Sequence, residues 1–155
     1  MSFFDWVRVV HVLAIILLIG GVSFVAIILL LPATTFESLE KRLRAFSLIE
    51  RRFVWQARVM ILLTGLSGLW MMHILGGWPW LIHAGHWWTH LMLFTWMIFA
   101  VLLFIVEPFG RGRLKTLIQH DPEAAWRRLR TIHVAIWVML LITVICAVGG
   151  NHGVF

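Results

Sequence analysis

Residues 87 to 106 read WWTHLMLFTWMIFAVLLFIV, a stretch of 20 residues without one Lys, Arg, Asp or Glu. A helix rises about 1.5 Å per residue, so such a run spans the roughly 30 Å of hydrocarbon in a bilayer. Further apolar runs of comparable length start near Trp6, Phe53 and Ile132. The predicted helices cover residues 6–31, 53–75, 87–107 and 131–149. With 61% of 155 residues hydrophobic and 13% charged, and a mean hydropathy of +0.93, the chain has more apolar surface than a soluble core of this length needs. No alternation of polarity at strand period appears. The expected fold is an all-α membrane protein, a single four-transmembrane-helix bundle over residues 1–155. The first run is too long for a secretory signal, has no basic region before it and no small-residue cleavage site after it, so it is retained as a helix.

The connections set the orientation. Residues 33–52 hold Lys41, Arg42, Arg44, Arg51 and Arg52, and the recurrence of Leu39, Leu43, Phe46 and Ile49 predicts an amphipathic helix over 36–50 lying on the membrane. The third connection, 108–131, holds Arg111, Arg113, Lys115, Arg127, Arg128 and Arg130, whereas residues 76–86 hold no Lys or Arg. Eleven of the 13 Lys and Arg residues thus lie in the first and third connections, and the positive-inside rule places these in the cytoplasm and both termini on the outer, periplasmic side. The expected location is the bacterial inner (plasma) membrane, multi-pass. The net charge of +6 is accounted for by these flanking charges, so the expected partner is the lipid bilayer and not nucleic acid. Arg58 lies more than a turn inside an apolar run, and Glu107, at the same level, is the acid expected to neutralise it.

Within this topology six of the eight histidines fall on the outer half: His11, His73, His83, His86, His90 and His152. His11, His73, His90 and His152 place one imidazole on each helix near one membrane surface. His86 and His90 are four residues apart and share a helix face. Neutral imidazole is a common ligand of transition metals and of haem iron. His11 and His90 lie about one turn below the outer surface, at equal depth, and are the expected axial or metal ligands; ionisable groups at that depth are rare and usually functional. His73, His86 and His152 lie nearer the water. Arg8, three residues before His11, is placed to pair with a haem propionate. His83 and His120 read as solvated interface residues. His133, just inside the inner surface, reads as a second cofactor site, a partner for Glu107 or a structural residue. The lone Cys146 excludes a cysteine-based cluster within one chain.

The stretch Trp6-Val7-Arg8-Val9-Val10-His11-Val12-Leu13-Ala14, followed by Gly20-Gly21 and Leu31-Pro32, resembles the first helix of the copper-resistance protein D family and of the related HemJ-type membrane proteins. Glu50-Arg51-Arg52-Phe53, Thr64-Gly65-Leu66-Ser67-Gly68, Trp87-Trp88-Thr89-His90, Glu107-Pro108 and Gly149-Gly150-Asn151-His152-Gly153 resemble small bacterial inner-membrane proteins of the same neighbourhood. The HemJ resemblance implies haem b and oxidation of protoporphyrinogen; the copper-resistance resemblance implies copper handling near the periplasm. Helix three lacks the basic residue of the HemJ pattern, and the seven methionines are scattered and not gathered in a periplasmic loop.

The expected function is therefore a membrane-bound b-type cytochrome, with haem b held by histidines near the periplasmic side and exchanging electrons with a quinone or a periplasmic redox partner. The alternatives are a copper-binding or copper-transport protein and a HemJ-like protoporphyrinogen oxidase. Small-residue patches such as Thr64–Gly68 also suit a homodimer.

Overall fold

The computed structural model describes residues 2–30 and 38–151. Helix α1 spans Phe3–Leu30, α2 Leu39–Ile74, α3 Trp87–Val101, α4 Glu107–His120 and α5 Pro122–Asn151. Short 3-10 turns, Trp78–Leu81 and Ala84–His86, lie between α2 and α3, and a π-helical turn, Leu102–Val106, joins α3 to α4. Four helices are long and apolar enough to cross a membrane, the third being the continuous rod Trp87–His120. His152, and Pro32 at the expected end of the first helix, lie outside the described residues.

The boundaries differ from the sequence expectation in three places. A surface helix over 36–50 followed by a separate span over 53–75 is replaced by one helix, α2. The change of polarity at Glu50-Arg51-Arg52 is no break, because no Gly or Pro stands between Leu39 and Thr64 and the amide ladder has no reason to stop. Ser38 opens α2, its Oγ accepting from the Lys41 amide, and Gly76, at φ 62°, closes it by donating to the His73 carbonyl while Gly77 donates to Met72. The third helix, expected to end at 107 before Pro108, runs on to His120. The π turn makes this possible: its wider coil relieves the clash between a proline ring and the carbonyl four residues back. The fourth span, expected over 131–149, starts at Pro122, a residue suited to the first helical position, and reaches Asn151.

Both ends of the bundle can be followed through side chains. Phe3 meets Trp70 edge to face, so α1 and α2 run antiparallel, and Trp88 lies on Gly150, which brings the start of α3 to the end of α5. These contacts define the histidine-rich end. At the other, arginine-rich end, Val25 and Leu29 pack with Leu43, Phe46, Trp126 and Leu129, and Arg42 stacks over the Trp126 ring. Between them Leu18, Val22, Ala57, Ile61, Phe99 and Leu140 form the central core from all four spans. Helix α1 packs along α2 and α5, and α3 packs along α5 and less extensively α2; α1 and α3 therefore occupy opposite corners.

Glycines seat aromatic rings between helices. Phe53 lies directly on Gly21, and a Cβ added at Gly65 would come 2.5 Å from the Trp96 ring. Trp96 is held there because its Nε1 donates to the Ile61 carbonyl. Several polar groups inside the bundle pair across helices: Trp137 Nε1 donates to Ser23 Oγ, and Thr143 Oγ1 donates to the Met139 carbonyl while receiving from Thr95 Oγ1 at 2.8 Å. The outer faces are apolar and uncovered, with Phe94 63% and Ile145 64% exposed. Apolar surface on this scale fits lipid, not water.

Candidate functional site at the histidine-rich end

His11 is half-buried against the small-residue patch of α2. Its Nδ1 lies 3.0 Å from the Thr64 carbonyl and 2.9 Å from Ser67 Oγ. Ser67 Oγ points its own proton at the carbonyls of Leu63 and Thr64, and a carbonyl can only accept, so the proton between His11 and this pair belongs to Nδ1. The tautomer is then fixed: Nε2 carries the lone pair, and it has no hydrogen-bond partner among the described residues. Gly68 permits this placement, since a Cβ there would stand 3.1 Å from His11 Cε1. A backbone carbonyl on Nδ1 with Nε2 left basic is how proteins orient a metal-ligating imidazole.

His90 is held differently. Its Nε2 is 3.0 Å from the Leu81 carbonyl and its Nδ1 is 3.1 Å from the His86 carbonyl, one turn back. Both ring nitrogens are covered, and the ring ties the 3-10 turns to α3. His11 and His90, expected together as ligands, stand on helices at opposite corners, each ring turned to its own partners. A bis-histidine site would require the His90 ring to leave Leu81.

The other expected residues surround this level without joining it. His86 stacks on Trp80, ring centroids 5.3 Å apart and planes at 8°, and meets Trp88 at a tilt; its Nδ1 is buried without a partner. His73 is exposed and its Nδ1 accepts from Trp78 Nε1. Arg8 is exposed and sits beside the Asp5 carboxylate, which also receives bonds from the Ser2 amide and hydroxyl. Among the described residues no three His, Cys, Asp or Glu side chains converge as a metal site. Among the described residues the donor set offers one oriented, unpartnered imidazole nitrogen, Nε2 of His11.

At the arginine-rich end the partner expected for Arg58 is the one present: Arg58 Nη2 donates to Glu107 Oε2 at 2.8 Å, and Arg111 holds the other oxygen, Oε1. His133 does not pair with Glu107. Its Nδ1 is 2.9 Å from the Leu129 carbonyl, its Nε2 is 3.8 Å from Glu50 Oε1, and its ring meets Phe46 edge to face. Glu50 is the residue that the sequence reading passed over. The available signal was its position one turn after Phe46 and two after Leu43, which puts a carboxylate on the apolar face of α2.

No protein-family model matches the chain, and neither a curated protein nor a solved structure is similar enough to mark a relative.

Proposed function

We propose that this chain is a multi-pass protein of the bacterial inner membrane, with both termini on the periplasmic side, that binds haem b through His11 and exchanges single electrons with a quinone or a periplasmic redox partner. The observation that carries this reading is the fixed tautomer of His11: the Thr64 carbonyl holds the Nδ1 proton and leaves Nε2 basic and unpartnered inside an apolar bundle. When bound, haem b supplies the one-electron chemistry. The chain's own residues orient the ligand through Thr64 and Ser67, and Gly68 gives the space the imidazole needs. His90 is the candidate second ligand, on condition that it gives up Leu81.

The visible absorption spectrum of protein purified from haem-replete cells tests this. Wild type should show a b-type spectrum that sharpens on reduction, and His11→Ala should lose it while still inserting into the membrane. A colourless wild-type protein ends the haem reading; stoichiometric copper in its place transfers the site to the copper-binding alternative.

A further inference from the structure

The second ionisable constellation lies at the other end of the bundle, on α2 and α5. The Glu50 and His133 side chains are only 24% and 20% exposed. Among the described residues neither Glu50 carboxylate oxygen accepts a hydrogen bond, and His133 Nε2 has no partner other than Glu50. Because the Leu129 carbonyl, which can only accept, engages Nδ1 at 2.9 Å, the ring carries its proton on Nδ1 and turns the Nε2 lone pair toward Glu50 Oε1. Two acceptors then face one another at 3.8 Å.

We propose that Glu50 and His133 together form a proton-binding site that takes up one proton from the water at the arginine-rich end and holds it between Oε1 and Nε2. The inventory of states leads there. With no proton, a largely screened carboxylate stands without a protein donor against a lone pair; with two, a largely screened imidazolium stands against a neutral acid. Both leave an uncompensated charge in a poorly solvated place. With one proton, the pair is either acid and imidazole or carboxylate and imidazolium, and in both cases an N–H···O or O–H···N bond joins them after a small rotation. Uptake forms that one N–H or O–H bond and consumes nothing else.

The surrounding charges do not fill the gap. On the α4 side Glu107 and Arg111 act on Glu50 through space, but Glu107 is already engaged by Arg58 from α2 and by Arg111 itself. From α1 nothing ionisable is available, because residues 12–30 contain no charged side chain and no histidine. On α5 Arg127, Arg128 and Arg130 are exposed. The pair sits at the end opposite His11, so it stands or falls independently of the haem reading.

The test is a pH titration of the full chain in lipid nanodiscs, following the Glu50 carboxyl and carboxylate stretches by infrared difference and the His133 ring by nitrogen NMR, each assigned by its loss in Glu50→Gln or His133→Gln. In wild type the carboxyl and imidazole signals should change together, at one midpoint. Glu50→Gln should move the His133 midpoint down by about one pH unit or more, a tenfold loss of proton affinity, because the buried imidazolium no longer faces a carboxylate. Separate midpoints in wild type, or a His133 midpoint unmoved by Glu50→Gln, overturn the proposal. Should Glu50→Gln fail to fold, Glu50→Asp assigns the band by its shift, and the coincidence of the two wild-type midpoints decides.

Discussion

Arg58 donates from Nε to the Leu103 carbonyl at 3.0 Å. In the π-helical turn the Glu107 amide reaches back five residues to Leu102, so the amide due at the Leu103 carbonyl is that of residue 108, which is proline and has none. The arginine supplies the missing donor and uses its other nitrogen for Glu107. A charge deep in a helix and a proline within a helix, each costly alone, are thus satisfied by one contact.

The first prediction follows from that sharing. Arg58→Gln and Glu107→Gln should each lower the thermal stability of the detergent-solubilised protein, and their effects should be non-additive, with a coupling energy of about 0.5–3 kcal/mol. Arg58→Lys should not restore the wild-type value, since a single ammonium does not reproduce the planar fork that reaches the carbonyl and the carboxylate together. Additive losses in the double-mutant cycle would show that the two side chains do not act as a pair.

Glycines 20 and 21 are adjacent in sequence and opposite in consequence. Nothing lies within 4 Å of a Cβ added at Gly20, whereas at Gly21 the Phe53 ring occupies the space. Gly20→Ala should be neutral or stabilising by up to about 1 kcal/mol, through the helix preference of alanine. Gly21→Ala should cost about 1–3 kcal/mol, because the partly buried Phe53 ring must shift. Equal melting temperatures for the two variants would argue against the seating of Phe53 on α1.

Much of this was legible in the sequence, and the failures have physical causes. The four spans follow from length and apolarity alone, because lipid demands a closed backbone ladder from any crossing segment. The Arg58–Glu107 pair was legible because one acid closes a span at that level. The end of the third helix was misjudged because Pro108 obeys a local rule that a π turn and a side chain from α2 set aside. His11 stood out as an intramembrane imidazole, but nothing in its spacing says that it turns to Thr64 and away from α3. The hold of Leu81 on His90 depends on the path of two 3-10 turns, which no periodicity encodes. Glu50 was hidden among the neighbouring arginines, although its place on the face of Leu43 and Phe46 marks it.

Sidedness is testable with two single-cysteine probes in a Cys146→Ser background. Ser2 lies at the histidine-rich end and Lys115 at the arginine-rich end, and both are exposed. The distribution of Lys and Arg predicts that a membrane-impermeant thiol reagent labels Ser2→Cys in intact spheroplasts and Lys115→Cys only after lysis. The reverse pattern would invert the topology and place His11 near the cytoplasm.

His90 bridges two carbonyls with one ring, and a neutral imidazole carries a single N–H. One of the contacts, to Leu81 at 3.0 Å or to His86 at 3.1 Å, therefore lacks a hydrogen whenever the ring is uncharged, and it is the Leu81 contact that ties the turn Trp78–Leu81 to α3. His90→Ala should loosen that turn by about 0.5–1.5 kcal/mol, the usual net value of one hydrogen bond. Amide hydrogen exchange over residues 78–86 should then accelerate several-fold while the central core around Ile61 and Phe99 stays protected. The same measurement decides the ligand role. If His90 becomes the second axial ligand, haem loading must break the Leu81 contact, so loading should accelerate exchange over 78–86 in wild type and add nothing in His90→Ala. Unchanged exchange in the haem-loaded wild-type protein would leave His90 as a clamp on the turn and not a ligand.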